Sequence, residues 1–263
     1  HREVVYSPLV LEDGQYQIDF ERFRTDVKGC KILILSNPHN PGGRVWTREE
    51  LAEIAEICYD NQVLVISDEI HADLTLPGYT HPTFALVSEK ARRNSLVFMS
   101  PSKAFNMPGL ASSYCIIEDE DIRRRFQTYM EASEFSEGHL FAYLGVAAAY
   151  SNGTEWLDQV LEYIQGNIDF TDEYLKANIP AIRMIRPQAS YLIFLDCREL
   201  GLSQKELVSF FVDDAHLALN DGAMFGKEGE GFMRLNVACP RSVLEQALDQ
   251  IKQAYGKKHD TIA

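Results

Sequence analysis

The 263-residue chain has no apolar run approaching the eighteen or more residues that a membrane-spanning helix needs. Basic residues are also scarce, with 25 Lys and Arg against 39 Asp and Glu and a formal charge of −14. Nucleic acid and anionic membrane surfaces are therefore poor partners, because either would repel the chain unless a basic patch compensated. No such patch is visible: Arg92-Arg93 and Arg123-Arg124-Arg125 are short and read as solvated helix charges. The five cysteines (Cys30, Cys58, Cys115, Cys197 and Cys239) are odd in number, widely spaced and mostly set in apolar runs. That pattern favours buried, reduced thiols in a cytoplasmic protein over a disulfide or zinc framework. The opening His1-Arg2-Glu3-Val4-Val5-Tyr6 has no signal-peptide pattern and begins as though cut from something longer. Internal repeats and low-complexity tracts are absent. What the chain does have is 46% hydrophobic residues, enough for a sizeable core in one large domain or two modest ones.

Short, near-continuous apolar runs at Lys31–Ser36, Val63–Ser67, Ser95–Met99 and Tyr114–Ile117 predict strands buried on both faces. Between the first two, Thr47 and Glu50 form a capping box, and Leu51, Ile54, Ala55 and Cys58 recur at helical spacing. The β-α-β unit so formed implies parallel pairing and a right-handed crossover. Beyond Asp119 the pattern becomes helical, through Leu140–Tyr150 and a long amphipathic stretch from Thr154 to about Lys176, ended by Asn178 and Pro180. Strands are predicted again at Tyr191–Leu195 and Phe232–Val237, with helices starting at Ser203 (Glu206) and Ser242 (Glu245). The expected fold is α/β: a large domain over residues 1–150 built on a mostly parallel sheet, then a connecting helix and a smaller C-terminal α/β domain over 151–263. The boundary falls between about 135 and 180.

Four clusters follow strand ends, where α/β sheets bind ligands. Ser36-Asn37-Pro38-His39-Asn40-Pro41-Gly42-Gly43 is either a plain turn or a loop whose Asn40 amide donates to a ligand oxygen. In Ser67-Asp68-Glu69-Ile70-His71, Asp68 either caps the next helix or is a buried carboxylate held ionised by a cationic ring nitrogen, with His71 reaching the same ligand. Ser100-Pro101-Ser102-Lys103 delivers a primary amine at a strand end, either a nucleophile toward a carbonyl or a lysine lying along the surface. Its Ser-x-x-Lys spacing also occurs in penicillin-recognising serine enzymes, whose Ser-Asp-Asn and Lys-Thr-Gly companions are missing here. Arg234, inside the apolar strand of Gly231–Pro240 and preceded by Gly222-Ala-Met-Phe-Gly226, needs an anion: an acid of the protein or a substrate carboxylate.

In order and spacing, Asn37–Gly43, Ser67–Asp73, Ser102-Lys103 with Phe105-Asn106, and Arg234–Arg241 resemble the fold-type I pyridoxal-phosphate enzymes. Within these the likeness is to the class I/II aminotransferases, in the branch of the MalY/PatB-type cystathionine β-lyases, and it covers essentially the whole chain. The resemblance implies an aspartate aminotransferase-like fold, pyridoxal 5′-phosphate as cofactor, a small amino-acid substrate and a homodimer. It implies that Lys103 is the covalent cofactor lysine and proton carrier at Cα, and that Asp68 pairs with the pyridine nitrogen. Asn40 and His71 would address the phenolic oxygen, Ser100 and Ser102 the phosphate, and Arg234 the substrate carboxylate. Many relatives have tyrosine where His71 stands.

The chain departs from the family pattern in two ways. Ala111 occupies the position, eight residues past the lysine, where many aminotransferases carry a phosphate-binding arginine. The family's amino-terminal portion, with its glycine-containing phosphate loop and ring-stacking aromatic residue, is not found ahead of the first motif. The implied activity is β-elimination of cystathionine- or cysteine-type amino acids to pyruvate, ammonia and a thiol. An aminotransferase using the same lysine, or a catalytically idle regulatory or interaction protein, stands as an alternative. No residue in the sequence decides among them.

Overall fold

The computed structural model describes residues 2–135 and 138–260. The chain opens with a hairpin of β1 (Leu9–Glu12) and β2 (Gln15–Ile18), paired Leu9 to Ile18 through Glu12 to Gln15. The two turn residues, Asp13 and Gly14, both have positive φ, the conformation a two-residue hairpin demands and an Asp-Gly pair supplies. Nothing in the four apolar runs announces this hairpin; the signal was the dipeptide. After α1 (Phe20–Asp26), capped by Asp19, come β3 (Ile32–Ser36), α2 (Arg48–Asp60), β4 (Leu64–Asp68), α3 (Glu89–Arg93) and β5 (Ser95–Met99). Then follow α4 (Pro101–Ala104), β6 (Tyr114–Ile116), α5 (Glu120–Ala132), α6 (Leu140–Asn152) and α7 (Thr154–Asn178). The last part holds β7 (Arg183–Ile185), β8 (Leu192–Asp196), α8 (Gln204–Ser209), β9 (Asn220–Asp221), β10 (Phe232–Asn236) and α9 (Arg241–Asp260).

The first sheet runs β3-β4-β5-β6, parallel across its first two pairs and antiparallel at the last. The capping box expected at Thr47 is formed in both directions, and α2 turns Leu51, Ile54, Ala55 and Cys58 into the core with Trp46, Val65 and Val97. Burial on both faces holds for part of this sheet only. Ile32 and Ile34 of β3 are 52% and 75% exposed, on the face opposite Leu33 and Leu35, which pack into the core with α2.

The second sheet, β7-β8-β10-β9, is antiparallel throughout. Helix α7 covers it with Ile164, Ile168 and Leu175, spaced four and seven apart on one face. Asn167, on the same face, donates from Nδ2 to the carbonyls of Val237 (2.7 Å) and Cys239 (3.0 Å) and so fixes the exit of β10. The Ser203–Glu206 capping box is present. The expected start at Ser242 is corrected: α9 begins at Arg241, with Val243 N and Leu244 N donating to Pro240 O. The Tyr163 hydroxyl accepts the Arg241 N–H at 2.7 Å, so a contact with α7 sets this start and Ser242 lies within the first turn. Among the described residues all cysteines are free; Cys58 and Cys197 are buried, whereas Cys30, Cys115 and Cys239 are only half-buried. Among the same residues no helix is long and apolar enough to cross a membrane.

Candidate active site

The carboxyl ends of β3, β4 and β5 lie side by side, with Ser36 paired to Asp68 and Asp68 to Phe98. Three of the four clusters leave from those ends. After β3 the chain folds into a compact loop held by its own groups. His39 N donates to Arg44 O, Gly43 N to His39 O, and Asn40 N to Ser36 Oγ at 3.1 Å. Gly43 has φ +65, and a Cβ on it would lie 2.4 Å from Pro187 Cβ. The glycine is needed because the 187–189 backbone presses on the loop there; Gln188 N and Ala189 N both donate to Gly43 O.

After β4, successive side chains point to opposite sides. Asp68 emerges exposed, its Oδ1 accepting from Ile70 N at 3.2 Å. The expectation of a buried carboxylate at Asp68 is therefore corrected: the buried acid is Glu69, 1% exposed. Glu69 Oε1 accepts from Ser67 Oγ (2.9 Å), Phe84 N (2.9 Å) and Asn37 Nδ2 (3.3 Å), and Oε2 lies 2.8 Å from His81 Nε2. Glu69 N also donates to Phe98 O. Glu69 thus ties the three parallel strand ends together beneath the exposed Asp68, reaching β4 and the residue after β3 through its carboxylate and β5 through its backbone N–H. The sequence motif contained Glu69, but nothing in it distinguished which of two adjacent acids would turn inward.

His71 is 4% exposed, and its Nδ1 has no hydrogen-bond partner. Burial, and then repulsion from Lys103 and Arg234, push its pKa down to about 4, so the imidazole is neutral near pH 7. Its ring meets Tyr191 edge to face at 6.2 Å, a neighbour the sequence did not suggest. Lys103 is the third residue of α4, which Ser100 caps with Pro101 at the first position. Half-buried, it makes no hydrogen bond or ion pair among the described residues. Ser100 Oγ donates to Ser112 O (2.6 Å) and is 2.7 Å from Ser102 Oγ, so contact with an external anion would cost Ser100 its present bond. Ala111 stands in a left-handed turn (φ 46) and offers no polar group.

Arg234 completes the group from the other sheet. It donates from Nη1 to Asn40 Oδ1 and from Nη2 to Asn220 Oδ1, each at 2.9 Å, and its guanidinium lies 4.7 Å from the centre of the Phe225 ring. Its Nε is buried without a partner, and no carboxylate pairs with it among the described residues. The alternative of an internal salt bridge is thus removed: this cation sits among neutral amides with donor capacity to spare. With Oδ1 engaged, Asn40 keeps its Nδ2 for a ligand. The structure therefore gathers Asn40, His71, Lys103 and Arg234, with Asp68 at the adjoining strand end. An unpartnered amine, a neutral imidazole, an amide donor and a guanidinium with no counter-charge suit a planar carbonyl cofactor together with a carboxylate ligand. No group of residues suited to holding a metal ion occurs among those described.

The chain is similar to known proteins over most of its length. The family model for aminotransferases of class I and II matches residues 1–251. Cystathionine beta-lyase PatB of Bacillus subtilis is 40% identical over 96% of the chain, which spans 66% of PatB. Protein MalY of Escherichia coli is 36% identical over 83% of the chain, which matches 56% of MalY. The crystal structure of cystalysin from Treponema denticola, which contains pyridoxal 5′-phosphate, superposes with a TM-score of 0.94 at 32% identity, covering 97% of this chain and 66% of that one. The chain spans between 56% and 66% of the length of these relatives.

Proposed function

We propose, from the premise that this chain belongs to the class I and II aminotransferase family, that it acts as a pyridoxal 5′-phosphate-dependent C–S lyase on amino acids bearing sulfur at Cβ. The observation that carries this reading is the Lys103 amine, left without a partner beside a neutral His71 and an Arg234 that no acid neutralises. The resemblance to PatB, named a cystathionine beta-lyase, supplies the reaction class.

When bound, pyridoxal 5′-phosphate supplies a conjugated, electron-withdrawing ring that accepts the electron pair released at Cα. The residues divide the remaining work. Arg234 holds the substrate carboxylate in its fork and so fixes which bond at Cα faces Lys103. The Lys103 Nζ removes the Cα proton as general base. Asp68, exposed at the end of β4, provides the negative charge for the ring nitrogen, and Asn40 Nδ2 with the neutral His71 provides hydrogen bonds for the phenolic oxygen. Ser102 and Ser100 would hold the phosphate. Net, the Cα proton taken by Lys103 would pass to the sulfur leaving Cβ, giving the thiol and a Cα=Cβ bond, and water would convert the three-carbon enamine to pyruvate and ammonia. Residues 1–150 carry the cofactor in this reading, and residues 151–263 bring Arg234 to the substrate. Five free thiols support a cytoplasmic setting. Helix α6 is apolar on all sides, yet among its residues only Ala142 is buried, while Leu140, Phe141 and Leu144 are exposed; this supports a homodimer in which a second copy covers it.

The test is incubation of the full-length, cofactor-loaded polypeptide with L-cystathionine and no keto acid. Pyruvate should form; no pyruvate, with amino-group transfer to a keto acid once one is added, would instead establish an aminotransferase. The Lys103→Ala variant should lose both activity and the borohydride-fixable absorbance of bound cofactor. Retention of that absorbance would remove Lys103 from the site.

A further inference from the structure

We infer that Asn220 is the positioning residue that keeps Arg234 aimed and electrically uncompensated, so that its charge is reserved for the carboxylate of an incoming amino acid. The inference rests on the reading of Arg234 as the carboxylate-binding residue and adds a residue that the motifs do not contain. Asn220 lies on β9 directly opposite Arg234 of β10 in the antiparallel register, and its Oδ1 accepts from Nη2 at 2.9 Å. Asn40, from the loop after β3, takes Nη1 at the same distance. The fork is therefore held at both tips by neutral carbonyl oxygens, one from each sheet, while the Phe225 face lies 4.7 Å from its carbon. One N–H remains on each Nη, together with the buried, unpartnered Nε–H.

The neighbouring acid shows why the residue type matters. Asp221 pairs across from Met233, not Arg234, and its Oδ1 is occupied by Gln204 Nε2 (2.5 Å) and Ala223 N (2.8 Å). The acid thus faces away from the guanidinium and the amide faces it. A carboxylate at 220 would keep the same reach but would pair with Arg234 and compete with the ligand.

The experiment measures binding by calorimetry of L-alanine and of L-alaninamide, which lacks the carboxylate, to the full-length cofactor-loaded protein. Asn220→Asp should weaken L-alanine by at least ~10-fold and L-alaninamide by less than ~2-fold, the selectivity expected when a counter-charge replaces a neutral acceptor on an ion-binding donor. Asn220→Ala, which loses the hydrogen bond without adding charge, should weaken L-alanine by only ~3- to 10-fold. Equal loss for both ligands, or L-alanine binding unchanged in Asn220→Asp, would overturn the inference. Arg234→Lys separates the two levels. If that variant binds L-alanine as well as the parent does, the carboxylate role of Arg234 itself fails. If it weakens L-alanine while Asn220→Asp does not, only the role of Asn220 fails.

Discussion

Replacing Gly43 by alanine tests whether the loop after β3 is shaped by the backbone that crosses it or by its own sequence. Two costs can be separated. Gly43 has φ +65, where an L-residue with a Cβ loses about 1 kcal/mol. The new Cβ would also lie 2.4 Å from Pro187 Cβ, 2.8 Å from Pro187 Cα and 3.1 Å from Ala189 O. Neither a proline ring nor a backbone atom can swing aside, so relief requires moving the 187–189 segment, at roughly 1–3 kcal/mol for overpacking. Such a movement also weakens the bonds that Gln188 N and Ala189 N donate to Gly43 O. The expected total is about 3 kcal/mol. Gly29 is the internal control, because it too has positive φ (+79) but nothing within 4 Å of its would-be Cβ, so Gly29→Ala should cost only the conformational term. With a urea m-value of roughly 3 kcal/mol/M, Gly43→Ala should lower the unfolding midpoint by about 1 M and Gly29→Ala by about a third of that. The assay is urea unfolding followed by circular dichroism. Equal midpoints for the two variants would refute the argument that the 187–189 backbone dictates this glycine.

Two further outcomes follow from buried groups. Glu69→Gln keeps the volume but sets an amide N–H2 group against His81 Nε2, where Oε2 stood at 2.8 Å. The resulting loss of about 3 kcal/mol should lower the melting temperature by roughly 6–12 °C, and a change below about 1 °C would show that the hub does not depend on its charge. His71 titrates near 6.5 when unfolded and near 4 when folded, so the folded state binds fewer protons between those values. Its contribution to stability is therefore complete above about pH 6.5 and declines as pH falls toward 4, by up to about 3 kcal/mol. Urea midpoints at pH 7.5 and 4.5 should differ less in His71→Gln than in the parent, and identical pH dependence would place His71 outside this account.

Much of the fold was readable because its signals are local. The apolar runs of β3, β4 and β5, the capping boxes at Thr47 and Ser203 and the period of α7 all depend on residues within a few positions of one another. The readings that failed depend on distant neighbours. Ser242 looks like a helix cap until Tyr163 holds the Arg241 amide, and Ile32 looks buried until its face of β3 proves to lie open, opposite the one that packs into the core.

The sequence alone determined the kinds of chemistry at the candidate site. Lys103, His71, Asn40 and Arg234 stand in recognisable surroundings, and strand ends are where such residues meet ligands. Only the tertiary structure decided which acid turns inward at Asp68-Glu69, that Arg234 has amides and not carboxylates for neighbours, and that Asn220 and Tyr191 belong beside it. The physical reason is that charge compensation and burial are set by what lies across space. Asn40 and Arg234 are 194 residues apart in the chain, and their 2.9 Å contact follows only from the packing of two separate sheets.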